Sequence, residues 1–476
     1  MSLSAALEGR HSSTIIDGNV DRHYIATALN ALDKGNVAAA GITVMGGPQL
    51  RSAIEVSKAI REKQPALPIV WGGAFPTVCP DATLNSAYVD YAVRAQGEDT
   101  LVELLDALRH RSESVESIAG LSWRRGAEIV HNSDRKFSRS SLDRMLPYEK
   151  LHNPQQYLTN TYLGRRTMGY QAALGCRFRC TFCGVATMFR GKMALPPAAR
   201  LEQDLRYMQD RLGVDAIQFY DHNFFDREID MVPLLEVLAK FQMPWWCFAR
   251  SDALVNLSEK SWALVKKSRL RMAYIGAESP SDWLLHDIRK GTNKDQTLEA
   301  VEKCRSHGVV PELSFMLAPP QDPEGETEKT FEFIRMIKRL HPATEVMIYI
   351  YTPLPRRDDK NPHSARMAGE LRDYNGKPVV FPRSADEWAE PQWVDYWCHQ
   401  SAPWLSERLR RRIVDFTTVL GCRYPTIMDI RASAWGKSAL RALAAWRYRF
   451  QRYDDPWELR VSRKIIRHWD PRVMSL

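Results

Sequence analysis

Residues 168–185, MGYQAALGCRFRCTFCGV, decide how the rest of the chain is read. Cys176, Cys180 and Cys183 stand in a CxxxCxxC spacing directly after a short strand-like run. Thiolates at that separation on a tight loop can converge on one iron–sulfur cluster. On a cubane of four irons, three protein ligands leave one iron open. Phe178 and Phe182 fall between the ligands, where aromatic cover would shield a cluster from water. The alternative is three unrelated buried thiols, because free cysteine is a common core residue. Three of eight cysteines meeting at this spacing by chance is improbable.

At 476 residues the chain is too long for one ordinary domain, and two or three are expected. A hydrophobic content of 44% and a charged content of 26% are those of a globular protein. No apolar run approaches the length of a membrane span, and the amino terminus has no signal-peptide pattern. A cytoplasmic location is therefore expected. Eight cysteines in a chain this long do not make a disulfide framework, and an exposed cluster needs a reducing compartment. Much of the net charge of +9 lies in the last quarter of the chain. No zinc-finger, RNA-recognition or helix-turn-helix pattern accompanies it, so nucleic acid is not the expected partner.

Working outward, residues 1–110 read as a reduced Rossmann-like α/β domain. Residues 12–19 predict a strand, 22–32 a helix and 37–45 a second, buried strand. Gly46-Gly47-Pro48 ends that strand before a helix over 49–63. Strands at 69–71 and 89–94 then run into Gly72-Gly73 and Gln96-Gly97-Glu98. Short apolar strands alternating with amphipathic helices mean βαβ units on a parallel sheet. Glycines at strand carboxyl ends are where such a sheet brings its backbone to a ligand. Residues 111–165 read as a linker holding a hairpin, 121–123 with 128–130, across an Arg-Gly turn.

Residues 166–385 repeat a strand–helix unit six times, counting the strand before the cysteines, which predicts a partial (β/α)6 barrel. Polar clusters fall at the strand ends: Tyr220-Asp221-His222-Asn223 after 215–220, Arg250 after 245–249, and Gly276-Ala277-Glu278-Ser279 after 271–275. Barrels of this kind carry their chemistry at those ends. Tyr220, Asp221 and His222 are candidate catalytic residues, since a phenol, carboxyl or imidazole there can give or take a proton. Glu312 and Ser314 share a strand face and are expected to point inward, while Trp245-Trp246 reads as packing. Residues 386–476 are helical, basic and rich in tryptophan. They read as a wrap that closes the open side of the barrel, with contact to a membrane surface as the alternative.

The cysteine spacing and the strand ends resemble the radical S-adenosylmethionine (SAM) superfamily, over roughly residues 12–385. That resemblance implies a [4Fe–4S] cluster on Cys176, Cys180 and Cys183, with SAM chelating the open iron. Reductive cleavage of SAM would give a 5′-deoxyadenosyl radical that abstracts hydrogen from a small-molecule substrate, with a flavodoxin or ferredoxin as electron donor. It also places Asp221 near the methionine amino group, Arg250 on the methionine carboxylate and Glu278 on the ribose hydroxyls, with Ser314 completing the cofactor-binding set. An ordinary ion pair at the strand end is the alternative for each charged residue. WGG followed by RAQGE is similar to the cobalamin-binding domain that precedes many such enzymes. An opening strand and helix are missing here, however, and so is an Asp-x-His-x-x-Gly cobalt-ligand motif; His23 stands alone on a helix. Cobalamin is therefore an open alternative. Within the superfamily the chain resembles the diol dehydratases of aminoglycoside biosynthesis, which work without a corrin. The implied reaction is radical dehydration of a diol on an aminoglycoside-like sugar. A cobalamin-dependent methyltransferase and a non-catalytic cluster-binding subunit are the rival readings.

Overall fold

The computed structural model describes residues 1–110, 114–354, 370–430 and 432–466. Two sheets organise the chain. The first contains β1 (Ala40–Thr43), β2 (Ile69–Gly72), β3 (Tyr91–Val93), β4 (Leu121–Arg125) and β5 (Glu128–His131), paired in that order. Strands β1 to β3 are parallel, and β3, β4 and β5 are antiparallel neighbours. The hairpin read from the sequence as part of a linker therefore extends this sheet. Helix Pro48–Lys63 starts with proline in its first turn after Gly47, whose φ of 79° suits glycine. It covers one face, where Trp71 donates to Ser57. Helix Glu98–His110 packs on the other face, burying Leu104 and Ala107 against Val70 and Val93.

Two expectations fail at the amino terminus. Residues 12–19 form no strand; they run as coil ending in a turn, and helix Ser2–Leu7 precedes them. The β-branched run Thr14-Ile15-Ile16 has strand propensity, but β1 is an edge of the sheet and residues 12–19 do not pair with it. The second strand covers only Ala40–Thr43 of 37–45.

Two short strands, β7 (Leu174–Gly175) and β8 (Met193–Ala194), pair with each other on either side of the cysteine loop. The second large sheet contains β6 (Thr167–Tyr170), β9 (Ala216–Phe219), β10 (Trp245–Ala249), β11 (Leu270–Glu278), β12 (Val310–Leu317) and β13 (Glu345–Ile350). All six are parallel and lie in sequence order, with β6 and β13 at the edges. This is the expected partial barrel. Helices such as Ala198–Leu212, Glu228–Phe241, Lys294–Ser306 and Pro323–Leu340 form its outer layer. Helix Lys294–Ser306 starts on a full capping box from Asn293 and Gln296, and Pro323–Leu340 on the Asp322 carboxylate. Strand β12 is buried on both faces: Leu313, Phe315 and Leu317 face helices, while Glu312 and Ser314 alternate with them toward the interior.

Of the segment expected to close the barrel, His399 and Ile427 bond to edge strand β13, and helices Glu407–Arg423, Ala434–Arg449 and Trp457–Ile466 follow. They stack outside helix Pro323–Leu340, where the Phe331 and Phe416 rings lie parallel at 3.7 Å and Arg412 pairs with Glu328. The floor of the barrel is filled by Leu163, Trp246 and Met272, packed with Tyr162 and Met428.

Candidate active site

The cysteine loop sits at the carboxyl end of β6, and neighbouring strand ends hold it in place. The Asp221 carboxylate, 1% exposed, accepts the Ala173 backbone N–H at 2.6 Å, three residues before Cys176. On the far side, Thr181 N–H donates to the Ile288 carbonyl at 2.9 Å. None of the three cysteines is in a disulfide. Burial pushes the Cys176 thiol up to about 11; Cys183 and Cys180 add to the rise, and Arg250 opposes it. The three sulfurs thus share one electrostatic neighbourhood.

Two buried cations flank the loop. The Arg250 guanidinium lies 3.5 Å from the centre of the Phe178 ring. It donates to both oxygens of Asp252, at 3.0 and 3.1 Å, and to the Lys290 carbonyl at 2.7 Å. Lys290 pairs with Glu278 at 2.7 Å, both side chains being 8% exposed. Burial pulls the Lys290 pKa down, but Glu278 and Cys180 outweigh it, leaving the amine above its ordinary value. The pairing depends on local backbone chemistry. The ladder between β11 and β12 slips between Gly276 and Glu278, and Glu278 has a φ of 62°. Such a bulge re-aims a side chain. A Cβ on Gly276 would overlap the Glu278 carboxylate and meet Lys290 Nζ at 2.5 Å, so only glycine leaves room for the pair.

Of the residues singled out in the sequence, Arg250 and Glu278 therefore stand in ion pairs beside the loop. Asp221 faces the backbone of its entry strand. Burial raises its carboxyl to about 7, against the opposing pull of the Ala173 and Ala172 amides. His222 leans on Phe189, with rings 5.7 Å apart, and burial lowers its pKa. Tyr220 turns into the barrel at 47% exposure and joins an aromatic wall with Trp246 and Phe248, 5.8 and 6.3 Å away. Its ring fits because position 169 is glycine: a Cβ there would come within 2.8 Å. Trp246, read as packing, faces inward and donates to Glu312 at 2.7 Å. Burial raises the Glu312 carboxyl to about 7, and neighbouring Glu345 adds to the rise. Ser314 is buried on the same face and meets the Tyr274 hydroxyl, which donates to Tyr349 at 3.2 Å. Lys290 and Asp252 were not legible as site residues. Lys290 reaches Glu278 across a twelve-residue excursion that carries no periodic signal.

Hydrogen-bond accounting tests whether a cluster with SAM fits here. Buried Thr181 Oγ1, Asp221 Oδ2, both Asn223 amide atoms, Ser251 Oγ and Thr292 Oγ1 have no protein partner. Buried polar groups without partners are costly; Ser251 opens the helix after β10, and the others lie in the segments around the cysteine loop and the strand ends. Among the described residues no three His, Cys, Asp or Glu side chains converge tightly enough for a single metal ion. A cubane instead takes each thiolate on a separate iron. The donor set fits a cluster with a polar ligand beside it.

The comparisons agree with this geometry. Residues 170–334 match the radical SAM superfamily, and residues 1–105 match the B12 binding domain. By these matches the chain is similar to radical SAM proteins over residues 170–334 and to B12-binding domains over residues 1–105, on an α/β fold with a helical carboxy-terminal region. An uncharacterized methyltransferase of Pyrococcus horikoshii is 24% identical over 70% of this chain and 72% of its own length. The anaerobic magnesium-protoporphyrin IX monomethyl ester cyclase of Synechocystis is 22% identical over 62% of this chain and 58% of its own length. The radical SAM methyltransferase TsrM of Kitasatospora setae, solved with tryptophan and a SAM analogue, shares the fold. Its TM-score is 0.66, with 16% identity and 98% and 96% of the two chains covered. The cobalamin-dependent radical SAM enzyme OxsB, solved with aqua-cobalamin, has a TM-score of 0.60 and 15% identity, covering 98% of this chain and 72% of its own.

The B12-binding match makes cobalamin a plausible ligand, and the fit of a corrin is tested at the carboxyl ends of β1 to β3. A Cβ on Gly46 would overlap the Trp397 indole, and one on Gly47 would come within 2.7 Å of Cys398 Sγ. Phe75, just after β2, packs against Trp397 and Trp388 at 5.5 and 6.3 Å. Helix Ala74–Val78 packs directly on helix Gly184–Phe189, which follows the cysteine loop. From the same segment, Tyr396 donates to the Pro353 carbonyl, and His399 accepts from Ile350 N–H at 2.8 Å at the end of β13. The Trp397 and Cys398 side chains thus lie against the Gly46-Gly47 turn, beside Met45, which stays 47% exposed. A corrin on this face would have to share it with those side chains.

Proposed function

We propose that this chain cleaves SAM reductively and takes a hydrogen atom from a polar small molecule held in the barrel. The observation that carries this reading is the cysteine loop, clamped between Arg250 and Lys290 above buried polar atoms that lack protein partners. A [4Fe–4S] cluster bound by Cys176, Cys180 and Cys183 would supply the electron that breaks the sulfonium and releases a 5′-deoxyadenosyl radical. Arg250 and Lys290 offset the negative charge of three thiolates in a buried place, where uncompensated charge is expensive. Asp221 fixes the entry to the loop. Asn223, Ser251 and Thr292 offer hydrogen-bonding groups to SAM. Arg250 and Glu278, each already in an ion pair, would meet SAM with the capacity those pairs leave free. The aromatic wall of Trp246, Phe248 and Tyr274 lines the substrate's path, with Tyr220 at its solvent-open end. Tyr220 is placed to hold or pass a proton at its hydroxyl.

The fate of the substrate radical separates two readings. The names of several relatives and the likeness to TsrM favour methyl transfer over dehydration. The packing of Trp397 and Cys398 on Gly46 and Gly47 favours a reaction that needs no corrin. Radical dehydration of a diol on an aminoglycoside-like sugar is that reading: the 5′-deoxyadenosyl radical takes hydrogen from a carbinol carbon, the neighbouring hydroxyl leaves as water with the carbinol proton, and the resulting carbonyl radical takes one proton and one electron, the electron coming from the added reductant. One incubation decides. Cluster-loaded protein with reductant, SAM and paromamine, with and without hydroxocobalamin, is analysed by mass spectrometry for 5′-deoxyadenosine and product. Loss of 18 mass units without corrin supports dehydration; gain of 14 units only with corrin establishes methyl transfer.

A further inference from the structure

The carboxy-terminal helices present an apolar surface that the radical chemistry does not use. Along helix Ala434–Arg449, Trp435, Leu443 and Trp446 are exposed, continuing to Phe450 just beyond it. At 100° per residue these positions, with Ala439 and Ala442, fall within a stripe about 100° wide. Helix Trp457–Ile466 repeats the pattern with Trp457, Val461 and Ile465, exposed at spacings of four. Trp435 and Ile465 are 77% and 75% exposed. The helices pack on each other, with Ile466 against Gly436. Four of these seven side chains are tryptophan or phenylalanine, and exposed apolar patches of this kind mark interaction sites. Between residues 432 and 466 there are eight basic residues and three acidic ones.

We propose that this face lies on an anionic lipid surface, with the tryptophans and phenylalanine at headgroup level and the flanking Arg449, Arg452 and Lys464 on lipid phosphates, while Arg447 and Arg460 stay in ion pairs within the protein. Aromatic rings flanked by basic residues are the composition of interfacial helices. Each basic residue near an anionic leaflet adds attraction that salt screens. A second copy of the chain is the less favourable occupant. A two-fold interface sets the same patch against itself, bringing Arg449 and Lys464 of one copy, which flank the stripe, toward the basic residues of the other. No described helix is long and apolar enough to cross a membrane, so the contact is peripheral.

The test is flotation of the full-length protein with phosphatidylcholine vesicles and with vesicles containing 30% phosphatidylglycerol. The protein is expected to float with the anionic vesicles only, less so at 0.5 M salt. The triple variant Trp435→Ser, Trp446→Ser, Phe450→Ser is expected to lose at least tenfold of that partitioning while keeping its circular dichroism and its SAM cleavage. Wild-type protein that stays down with both vesicle types overturns the proposal. So does a dimer, seen by light scattering, that the triple variant abolishes without any vesicle binding by the wild type.

Discussion

Glu278 and Lys290 place opposite charges 2.7 Å apart at 8% exposure, and removing one leaves the other buried alone. Such a loss costs about 3–5 kcal/mol, whereas replacing both partners with apolar residues is often neutral. Lys290→Met is therefore expected to lower the urea midpoint sharply, and the double variant Lys290→Met/Glu278→Leu to recover most of it. Asp221 makes a pH prediction. Burial raises its folded-state carboxyl to about 7, above its unfolded value, so the native state binds the extra proton between those two pKa values. The protonated form favours folding there, and its contribution is lost as pH rises from about 4 through 7. Asp221→Asn keeps an oxygen for Ala173 N–H and removes the titration. Urea unfolding across that range should show a flatter decline in stability for the variant. The cysteines and the polar strand ends were legible because spacing and strand position carry them. The Glu278–Lys290 pair was not, because it depends on a bulge and on Gly276 leaving space.

Among the elements, the segment from Trp388 to His399 is the one whose position matters most for function. It joins the Gly46-Gly47 turn after β1 to the end of β13 through consecutive residues. Gly46→Ala would drive a methyl into the Trp397 ring, an overpacking cost of about 1–3 kcal/mol. In a Trp397→Ala background the same change should cost little, and a double-mutant cycle by urea denaturation measures that coupling. Equal costs in both backgrounds would mean that the segment does not sit on the turn. From sequence, the alternation of strands and helices gave the six barrel units because each buries a continuous apolar run. The pattern misled at residues 12–19, where a strand-like composition has no pairing in the sheet. It also missed the hairpin's place beside β3, since antiparallel addition to a parallel sheet leaves no mark in the hairpin's own residues.

In the whole molecule, the helix after β2 packs on the helix that follows the cysteine loop, so the two sheets meet beside that loop. On the proposed function a reducing electron has to reach it, and the carboxy-terminal helices stack on the last barrel helix instead. The domain order was legible in the glycines at strand ends and in the cysteine spacing. The packing of Trp397 on the Gly46-Gly47 turn was not, because the two lie more than 300 residues apart in sequence. On the proposed function, three cysteines hold a cluster that cleaves SAM. The decisive measurement is 5′-deoxyadenosine formed by anaerobically reconstituted protein with dithionite and SAM, alongside Cys176→Ala, Cys180→Ala and Cys183→Ala. About four irons per chain and steady formation of 5′-deoxyadenosine are expected of the intact protein, and no 5′-deoxyadenosine from any of the variants. A folded, iron-loaded protein that leaves SAM intact, or a Cys183→Ala variant that cleaves it as the parent does, would contradict it.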